Sequence, residues 1–147
     1  MKTLSLSGEY SYKMDKKGRV SLPAPFRDAF ADGLVVMRGM DKCVAVYSAL
    51  EWPRIANSLR ELPLANPRAR LVQRRLISAA VSPEVDKAGR IIIPQALRTY
   101  ASLTQEVVLI GMINKLEVWD KDLWTTYLAS ADDNFEDYVK DFPDLVL

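Results

Sequence analysis

Polar and apolar residues alternate near the start of the chain, as they do in a strand with one buried face. Tyr10, Tyr12 and Met14 are separated by polar residues, and this period of two predicts a half-buried strand. The residues at 15–18 are Asp-Lys-Lys-Gly. Asp at the first and Gly at the fourth position favour a type I turn that ends in a left-handed glycine. Val20–Leu22 is then predicted as the return strand of a hairpin.

A short helix and a second pair of strands are predicted after the hairpin. Phe26, Ala29 and Phe30 stand at the i, i+3, i+4 spacing of an apolar helix face. The apolar runs beyond them predict strands at 34–38 and 43–47. This combination of elements is typical of a small mixed α and β unit.

The same elements are predicted twice because the sequence repeats itself. The segment 15–23, Asp-Lys-Lys-Gly-Arg-Val-Ser-Leu-Pro, returns at 86–94 as Asp-Lys-Ala-Gly-Arg-Ile-Ile-Ile-Pro, displaced by 71 positions. One inserted residue then raises the displacement to 72, so that Trp52 matches Trp124. A duplication accounts for both matches. In the second copy it predicts a return strand at Ile91–Ile93, a helix with Leu97, Tyr100 and Ala101 on its apolar face, and strands at 106–110 and 116–119.

Residues 53–75 separate the two copies and have no counterpart in the repeat. Within them, Asn66 followed by Pro67 predicts the N-cap and the first residue of a helix. Asp120 is predicted as the N-cap of another helix, within the second repeat. The linker helix carries four arginines, which are Arg68, Arg70, Arg74 and Arg75.

The chain ends in an acidic segment whose aromatic and apolar residues recur at helical spacing. These residues are Phe135, Tyr138, Val139 and Phe142. We therefore expect four parts, which are a first repeat at 5–52, linker helices at 53–75, a second repeat at 76–130 and an acidic C-terminal tail at 131–147.

The charge of the chain is unevenly distributed. The net charge is +1, which taken alone argues against a protein that binds nucleic acid. Residues 1–75, however, carry 14 Lys or Arg and 7 Asp or Glu, a balance of +7, whereas residues 76–147 carry 6 and 12, a balance of −6. Such asymmetry indicates either a nucleic-acid surface with an acidic tail, or two halves that simply attract each other.

The chain contains no histidine and a single cysteine, Cys43. The lack of histidine excludes Ser-His-Asp and Cys-His nucleophilic sites and His-ligated zinc, and one cysteine cannot form an internal disulfide. The first ten residues lack the apolar core of a signal peptide, and apolar runs such as Val107–Ile110 are far shorter than the ~20 residues of a membrane span. We therefore expect a cytoplasmic protein with no metal, cofactor, small-molecule substrate or membrane partner.

The repeated Asp-x-x-Gly-Arg turn carries the candidate chemistry. Turn geometry requires its Asp and Gly but not the arginines that follow, Arg19 and Arg90. A two-stranded ribbon fits the major groove, where an arginine contacts guanine O6 and N7 together, so a DNA-binding hairpin is one interpretation. The alternative is that each arginine is solvated or pairs with the aspartate of its own turn. The residues expected to support the turns structurally are Asp15 and Gly18 in the first copy and Asp86 and Gly89 in the second.

A rival interpretation starts from the two aspartates. Asp15 and Asp86 lie in duplicated units and could meet at a pseudo-twofold axis and share a proton, as in an aspartic protease. Each is followed by Lys and, four residues on, by Arg. Because such cations lower both carboxylate pKa values, they oppose a shared proton. We therefore expect no catalytic residue.

The two turns and their flanks resemble the MraZ family of bacterial transcriptional regulators. The resemblance covers about residues 5–130 and includes Leu-Ser-Gly-Glu-Tyr at 6–10, Trp52, Arg74-Arg75, Asn-Lys-Leu-Glu-Val-Trp at 114–119 and Trp124. It implies an α+β fold in which two SpoVT/AbrB-like β-hairpin and helix repeats intertwine into a swapped-hairpin β-barrel with additional helices. It also implies a ring-shaped homo-oligomer in the nucleoid. Such a ring binds direct repeats of double-stranded DNA upstream of the division and cell-wall gene cluster, usually as a repressor.

The resemblance also suggests roles for residues. The family's signature Asp-x-x-x-Arg falls on Asp15, Arg19, Asp86 and Arg90. Its base-contacting lysine matches Lys17, but the second copy has Ala88 there, so that contact is lost or made by Lys87. We expect the aspartates to orient the arginines or brace the turns. Arg19 and Arg90 are expected to read base edges, and Lys16, Lys17 and Lys87 to hold phosphates.

Two other functions stay open at this point. The first is a protein-interaction module, such as an AbrB-type antitoxin whose acidic tail occupies a partner protein. The second is a regulator or partner of a methyltransferase, for which the sequence offers no glycine-rich phosphate loop. The linker arginines are expected to form a solvated face or an oligomer contact rather than to bind DNA.

Overall fold

The computed structural model describes residues 5–147. Residues 1–4, which belong to the N-terminal stretch that lacks the apolar core of a signal peptide, lie outside the described part. The first half of the chain supplies four strands, a 3-10 helix and two α-helices. In order they are β1 (Glu9–Lys13), β2 (Arg19–Ser21), the 3-10 helix (Ala24–Phe30), β3 (Leu34–Arg38), β4 (Val44–Ser48), α1 (Trp52–Arg60) and α2 (Pro67–Ser78).

The second half supplies three strands and three α-helices. These are β5 (Arg90–Ile92), α3 (Gln95–Tyr100), β6 (Glu106–Gly111), β7 (Leu116–Asp120), α4 (Lys121–Asp132) and α5 (Phe135–Lys140). The predicted short helices are present, and the predicted strands lie within about one residue of their expected bounds. The exception is the first strand of the second copy, which is absent from the described part of the chain. The α+β class is therefore confirmed.

The two repeats exchange their strands. The main sheet is antiparallel and has the order β1-β6-β7-β4-β3, and β2 forms a separate two-stranded ribbon with β5. The predicted pairing within each hairpin is therefore wrong, because Tyr10 of β1 lies opposite Leu109 and Val20 of β2 lies opposite Ile91. A lone hairpin is marginal in water, and the exchange lets the apolar return strands of both repeats bury against each other.

The sheet and the ribbon share one hydrophobic core. Val20 and Ile91 of the ribbon are each 1% exposed and belong to the same buried cluster as Val36, Leu109 and Val118 of the sheet. The described residues form these two antiparallel sheets and no closed barrel. The barrel that the family resemblance implies therefore stays a prediction.

The second copy lacks the first strand of the first copy. Val81, the residue that matches Tyr10, makes only an isolated bridge with Val36, in which each backbone N–H donates to the other's carbonyl over 2.8 and 2.9 Å. Pro83 follows two residues later, and proline has no N–H to continue a ladder. The duplicated sequence therefore gives a five-residue strand once and a single bridge the second time.

Two predicted helix caps are confirmed. The side chain of Asn66 accepts a hydrogen bond from Arg68 N over 2.8 Å at the start of α2, and that of Asp120 accepts one from Leu123 N over 3.2 Å at the start of α4. The tail helix is shorter than predicted, because α5 ends at Lys140. Phe142 therefore lies beyond it.

No helix within residues 5–147 is long and apolar enough to cross a membrane. The division of the chain into parts that end at residues 52, 75 and 130 stays a prediction, because the exchanged strands belong to sheets that both repeats build.

Candidate nucleic-acid interface

The first turn is closed by the aspartate that begins it. The carbonyl of Asp15 accepts a hydrogen bond from Gly18 N over 3.0 Å. Its Oδ1 accepts two more, from Lys17 N over 3.0 Å and from Arg19 N over 2.9 Å. Gly18 has a φ of +84°, a left-handed conformation in which glycine is favoured because it has no Cβ. The predicted turn chemistry is confirmed.

The second turn repeats this geometry. Gly89 N donates to the carbonyl of Asp86 over 3.0 Å, and Asp86 Oδ1 accepts from Ala88 N and Arg90 N over 2.9 Å each. The residue before the glycine contributes only its backbone N–H to the turn, so its side chain is free to differ. This explains why Lys17 in one copy and Ala88 in the other support the same turn.

Each arginine forms an ion pair with the aspartate of its own turn. Arg19 Nε donates to Asp15 Oδ2 over 2.5 Å, and Arg90 Nε donates to Asp86 Oδ2 over 2.9 Å. In each turn the arginine's backbone N–H, followed by its side-chain hydrogen bond, lowers the pKa of the aspartate below its ordinary value. This pairing is the one expected if each arginine simply pairs with the aspartate of its own turn, and it is also the contact expected if the aspartate orients the arginine for DNA.

The ribbon places both arginines, each half-exposed, on its face away from the core. Arg19 lies opposite Ile92, and Ser21 lies opposite Arg90. Residues directly opposite in an antiparallel pair share a face, and the intervening Val20 and Ile91 point into the core. Arg19 and Arg90 are therefore diagonal neighbours, with Cα atoms roughly 7–8 Å apart.

The three predicted lysines lie in the turns at the two ends of this ribbon. Lys16 and Lys17 are exposed in the first turn, and Lys87 is exposed in the second. The exchanged strands thus bring together the two halves of the predicted site, which are 71 positions apart in the sequence. The result is one basic surface that contains both Arg and Lys side chains, and we call it the ribbon face.

A comparison with known protein families bears directly on this duplicated site. A family model described as "MraZ protein, putative antitoxin-like" matches residues 5–75 and matches again at residues 76–142. The chain belongs to the MraZ family. Its two tandem matches confirm the duplication found in the sequence, and they place the chain among regulator-type proteins.

Each MraZ turn is also supported by an arginine of the other repeat, a relationship that sequence reasoning missed. A Cβ on Gly18 would lie 2.7 Å from Arg98 Cζ, and a Cβ on Gly89 would lie 2.7 Å from Arg27 Nε. Arg27 Nε donates to the carbonyl of Leu22 over 3.2 Å. The available signal was the repeat itself, in which Arg27 and Arg98 occupy matching positions after the proline.

The MraZ site does not have the geometry of an acid protease. Asp15 and Asp86 begin separate turns, and each carboxylate already accepts hydrogen bonds from backbone and guanidinium donors. Both pKa values are lowered, whereas a shared proton requires one of them to be raised. In the described part of the chain, no group of three or more His, Cys, Asp or Glu is placed to hold a metal ion.

Proposed function

We propose that this chain is a sequence-specific DNA-binding transcriptional regulator whose ribbon face enters the major groove. One observation carries the proposal: two turns of the same geometry place the half-exposed Arg19 and Arg90 as diagonal neighbours on one ribbon. A two-stranded ribbon fits the major groove of B-form DNA. An arginine whose orientation is fixed before binding loses less side-chain entropy when it meets a base.

The contacts within the turns favour base reading by the arginines. Each aspartate engages the guanidinium at Nε, so the two Nη groups at the far end can donate to guanine O6 and N7. That bidentate contact discriminates against the wrong base by ~1–3 kcal/mol. The exposed ammonium groups of Lys16, Lys17 and Lys87 suit phosphate oxygens, which require charge but little directional geometry.

One ribbon offers few base contacts, so we propose that copies of the chain act together. A ring-shaped homo-oligomer would present ribbon faces at a fixed spacing, which matches DNA that contains direct repeats. Linking binding modules raises avidity by ~10²–10⁴ without any new contact. In this proposal the ring represses the division and cell-wall gene cluster and acts in the cytoplasm at the nucleoid. The two repeats of each chain intertwine into the swapped-hairpin barrel.

The direct test is a footprint on the DNA upstream of the protein's own gene. We expect Arg19→Ala and Arg90→Ala each to abolish the protected pattern while leaving the folded state intact. The matched control is Arg54→Ala, which removes an exposed, ion-paired arginine from α1, away from the ribbon. Normal footprints from both ribbon variants would contradict the proposal.

The alternative is an antitoxin-like interaction module, which the description of the family model favours. In that case the acidic tail would occupy a partner protein. Deleting residues 132–147 would then release a co-purifying protein while DNA binding stayed unchanged. Loss of such a partner would support the alternative, and purification of the full chain without one would count against it.

A further inference from the structure

Two pairs of helices leave apolar side chains in solvent. The helices α1, α2, α4 and α5 contain no buried residue, although isolated helices of 12 residues or fewer are marginal in water. On α2, Leu71 is 66% exposed, and in the tail Phe135 is 59% and Phe142 is 64% exposed. Clusters of exposed apolar residues mark surfaces that bind another protein.

The first pair of helices forms a basic groove. A cavity of about 520 Å³ lies between α1 and α2, where Ala56, Leu59 and Ile77 supply apolar surface and Arg60 and Arg74 supply charge. Residues 52–78 carry six arginines and one glutamate, a balance of +5. We call this cavity the linker groove. It fits a ligand that is both apolar and acidic.

The tail at 132–147 has that complementary chemistry. It carries six Asp or Glu and one Lys, a balance of −5, which equals the charge of the linker helices with opposite sign. Phe135 and Tyr138 stand three residues apart on α5, and helix positions of that spacing share one face. The segment therefore presents aromatic side chains on a short helix together with the carboxylates that would meet Arg60 and Arg74.

Within one chain, the linker groove and the tail are connected to helices that pack on different strands of the sheet. The helix α2 packs against the edge strand β3, whereas α4, which precedes the tail, packs against β6 and β7. In the order β1-β6-β7-β4-β3, β3 and β6 are three positions apart, which is roughly 14 Å at the usual strand spacing. A groove at one side and a tail at the other suit a contact between neighbouring copies.

We infer that the acidic tail of one copy docks in the linker groove of a second copy. The aromatic side chains of Phe135 and Tyr138 cover the apolar surface between α1 and α2, and Asp137 or Asp141 pairs with Arg60 or Arg74. Such a contact is head-to-tail, and head-to-tail contacts close into rings when the rotation per copy allows it. The inference rests on one part of the proposed function, the homo-oligomer, and it identifies the two surfaces through which neighbouring copies of the chain contact each other.

Crosslinking tests whether the contact joins two chains. In the full chain, Ile77→Cys with Tyr138→Cys places one thiol in the linker groove and one on the tail, both at exposed positions. Native Cys43 contributes no background, because it is fully buried and its pKa is raised to about 12, first by burial and then by the Glu117 carboxylate. With a short bis-maleimide, we expect covalent dimers and higher species on a denaturing gel.

The matched control replaces Ile77→Cys by Arg68→Cys, which lies on the same helix but outside the groove lining. We expect this pair to give at least about tenfold less crosslinked dimer, since nine residues of helix separate the two positions by ~13 Å. Equal ladders from both pairs would overturn the inference. A product that crosslinks only within one chain would overturn it as well, because the tail would then occupy its own groove.

Charge exchange tests the chemistry of the contact. Arg60→Glu with Arg74→Glu, and separately Asp137→Lys with Asp141→Lys, should each raise the dissociation constant of self-association by roughly tenfold or more, and combining all four should restore it. Sedimentation velocity provides the measurement. If the fourfold variant failed to restore self-association, the inference would be overturned. It would also be overturned if the Arg60→Glu with Arg74→Glu variant lost operator binding while its self-association stayed unchanged, because the groove would then contact DNA.

Failure of the inference is distinguishable from failure of the proposed function. A chain that crosslinks as expected but shows no footprint retains the contact and rejects DNA binding. A chain whose footprint depends on Arg19 but which gives no crosslinked dimer retains DNA binding and rejects the contact.

Discussion

Gly18 of the first repeat lies against the guanidinium of Arg98 of the second, so close that a Cβ on the glycine would stand 2.7 Å from Arg98 Cζ. The mirror relationship joins Gly89 to Arg27. Two further backbone hydrogen bonds link the repeats at the same place, from Leu22 N to the carbonyl of Gly89 and from Ile93 N to the carbonyl of Gly18. Each turn is therefore held by its own aspartate and by the opposite repeat.

This relationship predicts that neither turn glycine can be replaced without loss of stability. Gly18→Ala and Gly89→Ala should each lower the free energy of unfolding by roughly 1–2 kcal/mol, because both positions require a left-handed backbone. Thermal and urea denaturation measure the effect. The control is Lys17→Ala, whose side chain is exposed and takes no part in the turn bonds, and it should leave the unfolding midpoint unchanged. A glycine variant as stable as this control would contradict the account.

The lowered pKa values of Asp15 and Asp86 predict a dependence of stability on acid. The folded pKa of each lies below the ordinary value of 3.8. Each therefore contributes stability that is fully present above 3.8 and is lost as the pH falls from there through the lower folded pKa. Urea unfolding at neutral pH and near pH 3 should therefore show a smaller loss for Asp15→Asn with Asp86→Asn than for the natural protein. Asp32→Asn with Asp41→Asn, two exposed positions outside the turns and the tail, should behave like the natural protein. Equal losses in all three proteins would contradict the prediction.

Burial of Cys43 predicts a thiol that reacts only after unfolding. Its side chain is fully buried, Sγ lies 3.1 Å from the carbonyl of Met40, and burial raises its pKa to about 12. The thiolate is the reactive form, so a colorimetric thiol reagent at pH 8 should modify the native protein very slowly. The same reagent in concentrated urea should modify one thiol per chain at once. Fast modification of the native protein would show that the strands around Cys43 open readily.

The cap of α4 predicts a specific loss at Asp120. This carboxylate is 6% exposed and accepts hydrogen bonds from Leu123 N and from Thr104 Oγ1, the latter over 2.6 Å. Asp120→Ala should lower the free energy of unfolding by about 1 kcal/mol or more. Asp120→Asn keeps an acceptor oxygen and should recover most of the loss. If the two variants were equally unstable, the charge rather than the cap would be responsible.

Local chemistry explains what the sequence could predict. The turns at 15–18 and 86–89 depend on an Asp that bonds the backbone of its own turn and a Gly with positive φ, and both signals lie within four residues. Both predicted N-caps are local in the same sense. The repeat then predicted a second set of elements without any knowledge of their contacts.

The remaining features depend on contacts between distant residues. Nothing near Tyr10 indicates that it pairs with Leu109, or that Arg98 lies under Gly18, because the exchange of strands is decided by the shared core. The missing strand of the second copy follows from Pro83, and its effect on pairing becomes visible only once Val36 is known to be the partner of Val81. The tail helix ends before Phe142, although the spacing of its apolar residues continues.

The most direct test of base reading is the specificity of Arg19→Lys on operator DNA and on a scrambled sequence. This variant keeps the charge but loses the planar fork that contacts guanine bidentately. We predict that it weakens operator binding by ~1–3 kcal/mol, whereas binding to the scrambled sequence at the same salt concentration is unchanged. If Arg19→Lys instead retained the full preference for the operator, Arg19 would act only as a charge, and the central claim of base reading by the ribbon face would be wrong.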